Sequence, residues 1–143
     1  MRSQGRKRRK NAGYTILEIL IVLGMIALLT AVVAPRLIGQ LGKAKSQTAS
    51  LQINNLKSAV NLFYIDIGRY PTETEGLGAL MAAPSGTDRW AGPYMDSDAA
   101  LSDPWDRTYL YRIPEDGKPF EIQSLGRDGA VGGEGEDRDL VSS

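Results

Sequence analysis

An uncharged apolar run near the N-terminus, Ile19–Ala34, constrains this chain more than any other feature. Extended back to Tyr14 it is interrupted only by Glu18, and it then approaches the roughly 20 residues that a helix needs to span a bilayer. Six Lys or Arg residues and no acid precede it, so the positive-inside rule predicts a cytoplasmic N-terminus. A secretory signal peptide begins similarly, but it is cut after its apolar run, whereas this run continues into Pro35 and a long helical pattern. We therefore predict a membrane segment that stays in the protein.

The residue types that are missing narrow the classes of function. The chain has no Cys, which excludes disulfides, zinc–thiolate sites and thiol nucleophiles. It has no His, which removes the usual base of a nucleophilic triad and the commonest transition-metal ligand. All 17 Asp and Glu residues lie after Gly13, and they form no convincing catalytic pair. We predict a structural or binding protein rather than an enzyme, without a nucleic-acid partner, and a hard cation held by oxygen ligands stays possible.

The helical pattern continues far beyond the apolar run. No strong helix breaker except Pro35 lies between Tyr14 and Gly68, so we predict one bent helix over residues 14–68. Gly68 is followed by Pro71, an order typical of a helix C-terminus. The second half of this helix carries an apolar stripe at alternating three- and four-residue spacing, which predicts a face packed on a sheet: Ile53, Leu56, Val60, Phe63 and Ile67.

Strand patterns appear late in the chain. Residues 109–113 and 120–124 alternate in polarity and flank the turn cluster at residues 114–119, which predicts an antiparallel hairpin in a sheet of two or three strands. The predicted fold class is α+β, a long bent N-terminal helix packed on a small antiparallel sheet. The predicted organisation is a basic leader at residues 1–13, a membrane segment at residues 14–38 and a head at residues 39–143.

The segment from Ser124 to Asp139 contains five Gly and five acids in sixteen residues. Ca²⁺ binds six to eight oxygens, and glycines let backbone carbonyls turn inward beside carboxylates. Asp128 and Asp137 lie nine residues apart, enough for a loop to close on one ion. The same composition is typical of a flexible acidic tail, so composition alone leaves both interpretations open.

The sequence Gly13-Tyr14-Thr15-Ile16-Leu17-Glu18, between a basic leader and an apolar helix, resembles the class III signal of type IV pilins and pseudopilins. The resemblance implies that a prepilin peptidase cuts between Gly13 and Tyr14 and that the new N-terminus of Tyr14 is methylated. It also implies that Glu18 aligns each subunit by pairing with the amine of a neighbour. Tyr14 departs mildly from the usual Phe.

The head resembles the major pseudopilin of the type II secretion system. The matching stretches follow the family order: Tyr70-Pro-Thr-x-x-x-Gly76-Leu-x-Ala-Leu80, Trp90-x-Gly-Pro-Tyr94, Asp103-Pro-Trp105, Tyr109-x-Tyr111 and Ser124-Leu-Gly-x-Asp-Gly129. Two departures are Asp106, where the family commonly has Gly, and Arg138, where a small residue is usual.

That resemblance also implies a calcium site. The family binds Ca²⁺ in its C-terminal loop through two aspartates and several carbonyls. The matching positions are Asp128 and Asp137, with carbonyls near Leu125 and Ala130. Because loop length varies, Asp139 is the alternative second carboxylate.

The function implied by this resemblance is that of a major structural subunit of a periplasmic filament, the pseudopilus, which drives folded proteins across the outer membrane. The implied partners are further copies of the chain, minor pseudopilins, the prepilin peptidase, the inner-membrane secretion platform and the inner membrane itself, with the head in the periplasm. Two alternatives stay open. One is a type IV pilin for adhesion, motility or DNA uptake, and the other is a monomeric, membrane-anchored calcium-binding module.

Overall fold

The computed structural model describes residues 14–142, a long helix followed by short 3₁₀ turns and three short strands. Helix α1 covers Ile16–Ile67, 52 residues, and passes through Pro35. The single long helix expected over residues 14–68 is therefore confirmed almost to its ends, while the bend at Pro35 stays a prediction. The leader at residues 1–13 lies outside the described residues.

Both ends of α1 are set by local interactions, a side-chain hydrogen bond at the beginning and a glycine at the end. The Thr15 hydroxyl accepts a hydrogen bond of 3.2 Å from the backbone N–H of Glu18, one of the first-turn donors that lack a partner inside a helix. At the other end Gly68 has a φ of 81°, a left-handed conformation that glycine adopts without steric cost. The Gly68 N–H donates to the Tyr64 carbonyl at 2.8 Å, so α1 ends at the predicted glycine.

The chain divides into two compact units, of which the first ends at Ile38. In its described part every large apolar side chain is exposed, from 47% at Ile19 to 82% at Ile16. An 18-residue window of α1 near the N-terminus has a mean hydropathy of 2.8 and no buried residue. By length and composition this helix could cross a membrane.

The second unit begins at Gly39 and has a hydrophobic core of its own. Four residues of the predicted stripe, Ile53, Leu56, Val60 and Phe63, are buried, and Ile67 packs partly buried against them, which confirms the predicted face. The core is completed by Ala59 of α1 and by residues of the 3₁₀ helix Gly76–Leu80 and the sheet region: Leu77, Ala79, Leu80, Tyr109, Phe120 and Ile122.

The sheet has three antiparallel strands, β1 (Leu110–Arg112), β2 (Glu121–Ser124) and β3 (Leu140–Val141), in that spatial order. β1 and β2 form the predicted hairpin, with Tyr111 opposite Ile122. All four residues of β2 are buried, and this central strand is paired along both edges.

An aromatic cluster fixes the long connection that precedes the sheet. The Trp90 indole N–H donates to the Ala79 carbonyl at 3.0 Å, and the Tyr94 hydroxyl donates to an Asp66 carboxylate oxygen at 2.7 Å. A Cβ at Gly92 would lie 2.6 Å from the Trp90 ring and 2.9 Å from the Tyr94 ring, so only glycine fits between them. Burial, followed by the hydrogen bond to Asp66, raises the pKa of Tyr94. The matched stretch from Trp90 to Tyr94 is therefore a packing motif.

Candidate functional site

The first candidate site is the beginning of α1. Tyr14 is 78% exposed, and Glu18 is the third residue of the helix, where a carboxylate interacts favourably with the positive end of the helix dipole. Gly13, the residue before the predicted cleavage point, lies outside the described residues. The processing of Gly13 and Tyr14 and the pairing of Glu18 with a neighbour's amine therefore stay predictions.

The second candidate site is the segment 124–139, called here the acidic loop, which joins β2 to β3. All five of its glycines have positive φ angles, among them 63° at Gly126 and 86° at Gly133, where other backbone of the loop lies at close range. A Cβ at Gly126 would lie 2.7 Å from the Glu136 carbonyl oxygen, and one at Gly133 would lie 2.5 Å from the Asp137 carbonyl oxygen. Gly126 therefore allows the beginning of the acidic loop to contact its end, and Gly133 allows a close turn before Asp137.

The base of the acidic loop rests on the buried carboxylate of Asp103. One oxygen of Asp103 accepts the backbone N–H groups of Trp105 and Arg107, each at 3.0 Å. The other accepts the Ser124 hydroxyl at 2.6 Å. The Asp103-Pro-Trp105 stretch and the stretch that begins at Ser124 are thus in direct contact, although 21 positions separate Asp103 from Ser124.

Arg107 hydrogen-bonds the backbone of the acidic loop. Its guanidinium donates to the Gly126 carbonyl at 2.7 Å and also to the Arg127 carbonyl. A Cβ at Gly129 would lie 2.7 Å from the Arg107 Nε atom, so the guanidinium packs directly against the Gly129 backbone. Arg107 was not among the predicted site residues, and no pattern in the sequence indicated it.

Asp128 is exposed in the first half of the acidic loop. Its Oδ1 atom accepts the backbone N–H of Ala130 at 3.0 Å, a local turn that fixes the carboxylate. Its Oδ2 atom makes no hydrogen bond within the described chain. Leu125 is half-buried between Ser124 and Gly126. The two residues predicted to supply carbonyl ligands, Leu125 and Ala130, precede and follow Asp128 in the sequence.

Asp137 forms an ion pair with Arg127, a residue that the sequence analysis did not single out. The Arg127 Nε and Nη2 atoms donate to the two carboxylate oxygens of Asp137 at 2.8 and 2.9 Å. The Arg127 Nη1 atom lies 3.8 Å from an oxygen of Glu136. The hydrogen bonds to Asp137, followed by the charges of Asp137 and Glu136, raise the pKa of Arg127. The available signal was the presence of two Arg residues, Arg127 and Arg138, among the five acids of this segment.

Asp139 has a different environment. Its Oδ2 atom accepts the Gln123 side-chain N–H and the Gly132 backbone N–H, both at 3.1 Å. Its Oδ1 atom is buried and makes no hydrogen bond with any residue of the described chain. A buried carboxylate oxygen without a donor is costly, and a bound cation would remove that cost.

Comparison with known proteins shows the family to which this chain belongs. The family model for type II secretion system (T2SS), protein G, matches residues 36–143. The type II secretion system core protein G of Xanthomonas campestris pv. campestris is 37% identical over 133 residues, which cover 93% of this chain and 90% of that protein. The protein with the same name from Vibrio cholerae serotype O1 is 34% identical over 138 residues, covering 94% and 93%. This chain belongs to the type II secretion protein G family.

A solved structure supports the same assignment. The crystal structure of the major pseudopilin from the type 2 secretion system of enterohaemorrhagic Escherichia coli matches with a TM-score of 0.57 and 28% identity, over 75% of this chain and 93% of that one. The predicted pilin-like α+β fold and the resemblance to major pseudopilins are thereby confirmed.

The structure also explains why Asp is tolerated at position 106, where the resemblance to the type II secretion family leads one to expect Gly. Asp106 has a φ of 64°, the left-handed region that favours glycine, and it follows the buried Asp103 in a tight turn. Glycine at this position, which the resemblance led us to expect, adopts that conformation at no steric cost. Asp is among the few side chains that tolerate it, so the turn is kept despite the substitution.

The donor chemistry of the acidic loop fits a hard cation in part. Among residues 14–142 no three acidic side chains converge in the arrangement of a formed metal site. Asp128 Oδ2 and Asp139 Oδ1 have no hydrogen bond within residues 14–142, whereas both oxygens of Asp137 are held by Arg127. Asp139 therefore fits the second carboxylate position better than Asp137 does.

Proposed function

We propose that this chain is the major structural subunit of a type II secretion pseudopilus and has no catalytic role of its own. Membership in the protein G family carries the proposal, and the exposed apolar helix before Ile38 gives it a physical basis. The subunit would assemble with further copies of itself into a periplasmic filament that moves folded proteins toward an outer-membrane channel. Minor pseudopilins and the inner-membrane secretion platform would be its other partners.

The driving force for assembly is apolar surface. Burial of such surface contributes about 25 cal/mol per Å². The large apolar side chains from Ile16 to Ile38 are about half to four-fifths exposed in the single chain, so the helix needs either lipid or other copies around it. The inner membrane would hold the precursor with its head in the periplasm, and the filament core would replace the lipid after assembly.

Removal of the basic leader would create the charge partner of Glu18. Cleavage after Gly13 by the prepilin peptidase would free the amine of Tyr14, and methylation would keep it cationic. A carboxylate within an apolar core is costly unless it is paired. Glu18 of one subunit and the Tyr14 amine of the next would therefore fix their register.

Calcium would order the acidic loop. Asp128 and Asp139 would supply carboxylate oxygens and Leu125 and Ala130 backbone carbonyls, the hard ligands that Ca²⁺ prefers. The ion would supply positive charge to a segment rich in acids and would fix the surface that the head presents to neighbouring subunits. The orphaned Oδ1 atom of Asp139 is the observation that supports this role.

Cysteine crosslinking in cells tests the filament proposal. The chain has no native Cys, so a pair of introduced cysteines, Leu23→Cys with Ala31→Cys, reports only on helix contacts between copies. We expect a ladder of multimers upon oxidation, lost when Glu18→Gln is added. The control variant Ser85→Cys, on an exposed turn of the head, should give dimers at most. Monomers alone from the helix pair would contradict the proposal.

Mass measurement of the mature N-terminus tests processing separately. We expect a chain that begins at Tyr14 and carries one added methyl group. A protein that retains Met1 in cells expressing the peptidase would contradict both the cleavage and the charge pairing that depends on it.

A further inference from the structure

The Arg127–Asp137 ion pair joins the beginning of the acidic loop to its end. The two side chains are joined by two parallel hydrogen bonds across ten positions of sequence. The Arg127 backbone N–H also donates to the Glu136 carbonyl at 2.9 Å, and the Arg107 guanidinium holds the Arg127 carbonyl from the other side. Arg127 is thus fixed through its N–H, its carbonyl and its side chain.

Arg127 also supplies the charge that a cation would supply. Its guanidinium hydrogen-bonds Asp137, lies near Glu136 and interacts with the charge of Asp128, and all three interactions raise its pKa. A guanidinium stays protonated at every physiological pH, so this positive charge does not depend on the concentration of any ion. It is present whenever the acidic loop is folded.

The carboxylates of Asp139 and Asp137 differ in their hydrogen-bond partners. Both Asp137 oxygens are used by Arg127, and their geometry is that of a bidentate arginine–carboxylate pair. The Asp139 carboxylate is oriented by Gln123 and by the Gly132 backbone, and its second oxygen is buried without a donor among residues 14–142. One carboxylate is thus satisfied by the protein itself, and the other is oriented but incomplete.

We propose that Arg127 is a tethered cation that closes the acidic loop in the absence of metal and withholds Asp137 from calcium, so that Asp128 and Asp139 are the carboxylate ligands. The second half of this proposal rests on the calcium role proposed above. The first half does not, because the ion pair stabilises the loop whether or not Ca²⁺ binds.

Thermal unfolding of the detergent-solubilised full chain in EGTA tests the closure. Arg127→Gln and Asp137→Asn should each lower the Tm by about 1–4 °C, the range for a well-formed exposed ion pair in a domain of this size. The double variant should lower it no further than either single variant, because each removes the same interaction. Arg138→Gln, which removes the same charge from a side chain without an ion pair in the described structure, is the matched control and should leave the Tm unchanged. Fully additive losses in the double variant would overturn the closure.

Calcium titration calorimetry of the same protein tests the ligand assignment. Asp128→Asn and Asp139→Asn should each weaken the Kd at least tenfold, whereas Asp137→Asn should keep it within about threefold. Loss of binding in Asp137→Asn, together with tighter binding in Arg127→Gln, would show that Asp137 is a ligand and would overturn the assignment. A wild-type chain that gives no calcium signal would overturn the calcium role and the assignment together, while the EGTA measurements would still decide the closure.

Discussion

The two units of this chain contain the same kind of helix in opposite surroundings. In the unit that ends at Ile38, the large apolar side chains are about half to four-fifths exposed. In the unit that begins at Gly39, the same helix has Leu56, Val60 and Phe63 completely buried. Hydrophobicity alone therefore does not say where a segment is stabilised. The second unit buries its own apolar face, whereas the first leaves its large apolar side chains exposed.

The largest expected effect separates the two units directly. Phe63→Ala should lower the free energy of unfolding of the second unit by about 3–5 kcal/mol, because it removes a fully buried ring and leaves a cavity. Leu28→Ala, at a side chain that is 69% exposed, should change it by less than about 0.5 kcal/mol. Urea unfolding in detergent, followed by tryptophan fluorescence, measures both, since Trp90 and Trp105 lie in the second unit. Equal losses in the two variants would break the comparison.

A polar test of the second unit concerns the carboxylate beneath the acidic loop. Asp103→Ala should cost about 2–3 kcal/mol, because two backbone N–H groups and the Ser124 hydroxyl lose their acceptor. Asp103→Asn keeps an oxygen for the N–H groups and should cost less. Urea unfolding compares both with Asp88→Asn at an exposed position, which should be neutral. A neutral Asp103→Ala would show that the contact between the two matched stretches does not stabilise the head.

A smaller, pH-dependent effect comes from Glu75. Two hydrogen bonds of 2.7 Å from the Arg69 guanidinium, together with one from the Thr72 N–H, lower the pKa of Glu75 to about 2. Because the unfolded carboxyl binds its proton at higher pH, this stabilisation is present above about pH 4.5 and is lost as the pH falls toward 2.

Glu75→Gln should therefore lose about 1–2 kcal/mol at pH 7, a value reduced from the full shift because Arg69 is partly exposed. The gap between wild type and variant should narrow as the pH falls from 5 to 2. Unfolding free energies at pH 7, 5 and 3 measure it. Parallel pH profiles would indicate that the Arg69–Glu75 pair does not contribute to folding.

The sequence predicted the features that arise from periodic patterns. The spacing from Ile53 to Phe63 indicated the buried face of α1, and the turn cluster at residues 114–119 indicated the hairpin. A two-residue third strand at Leu140 carries too few residues to show a pattern, so the sequence could predict only two or three strands.

The candidate site was less predictable because its side chains meet through the fold. The acidic loop and its Asp residues were evident in the composition, but the choice between Asp137 and Asp139 depends on which of them an arginine reaches. Neither the Arg127–Asp137 pair nor the contact of Gln123 with Asp139 follows from spacing. Arg107 reaches the acidic loop from nineteen residues away, and only the folded structure reveals that contact.

The smallest expected change in stability comes from the backbone conformation of one residue of the second unit, Asp106. Asp106 is exposed and has a φ of 64°, so a side chain there pays a steric cost that glycine avoids. Asp106→Gly should leave the free energy of unfolding unchanged or raise it by up to about 1 kcal/mol, since the steric relief is partly offset by the greater freedom of glycine in the unfolded chain. Asp106→Ala should lower it by about 1 kcal/mol and Asp106→Val by about 2 kcal/mol, because a β-branched side chain is poorly tolerated at positive φ. Urea unfolding of the three variants orders them. Because position 106 is exposed, differences in packing cannot produce that order of stability. An alanine variant as stable as the glycine variant would mean that residue 106, after Trp105, does not adopt the left-handed conformation.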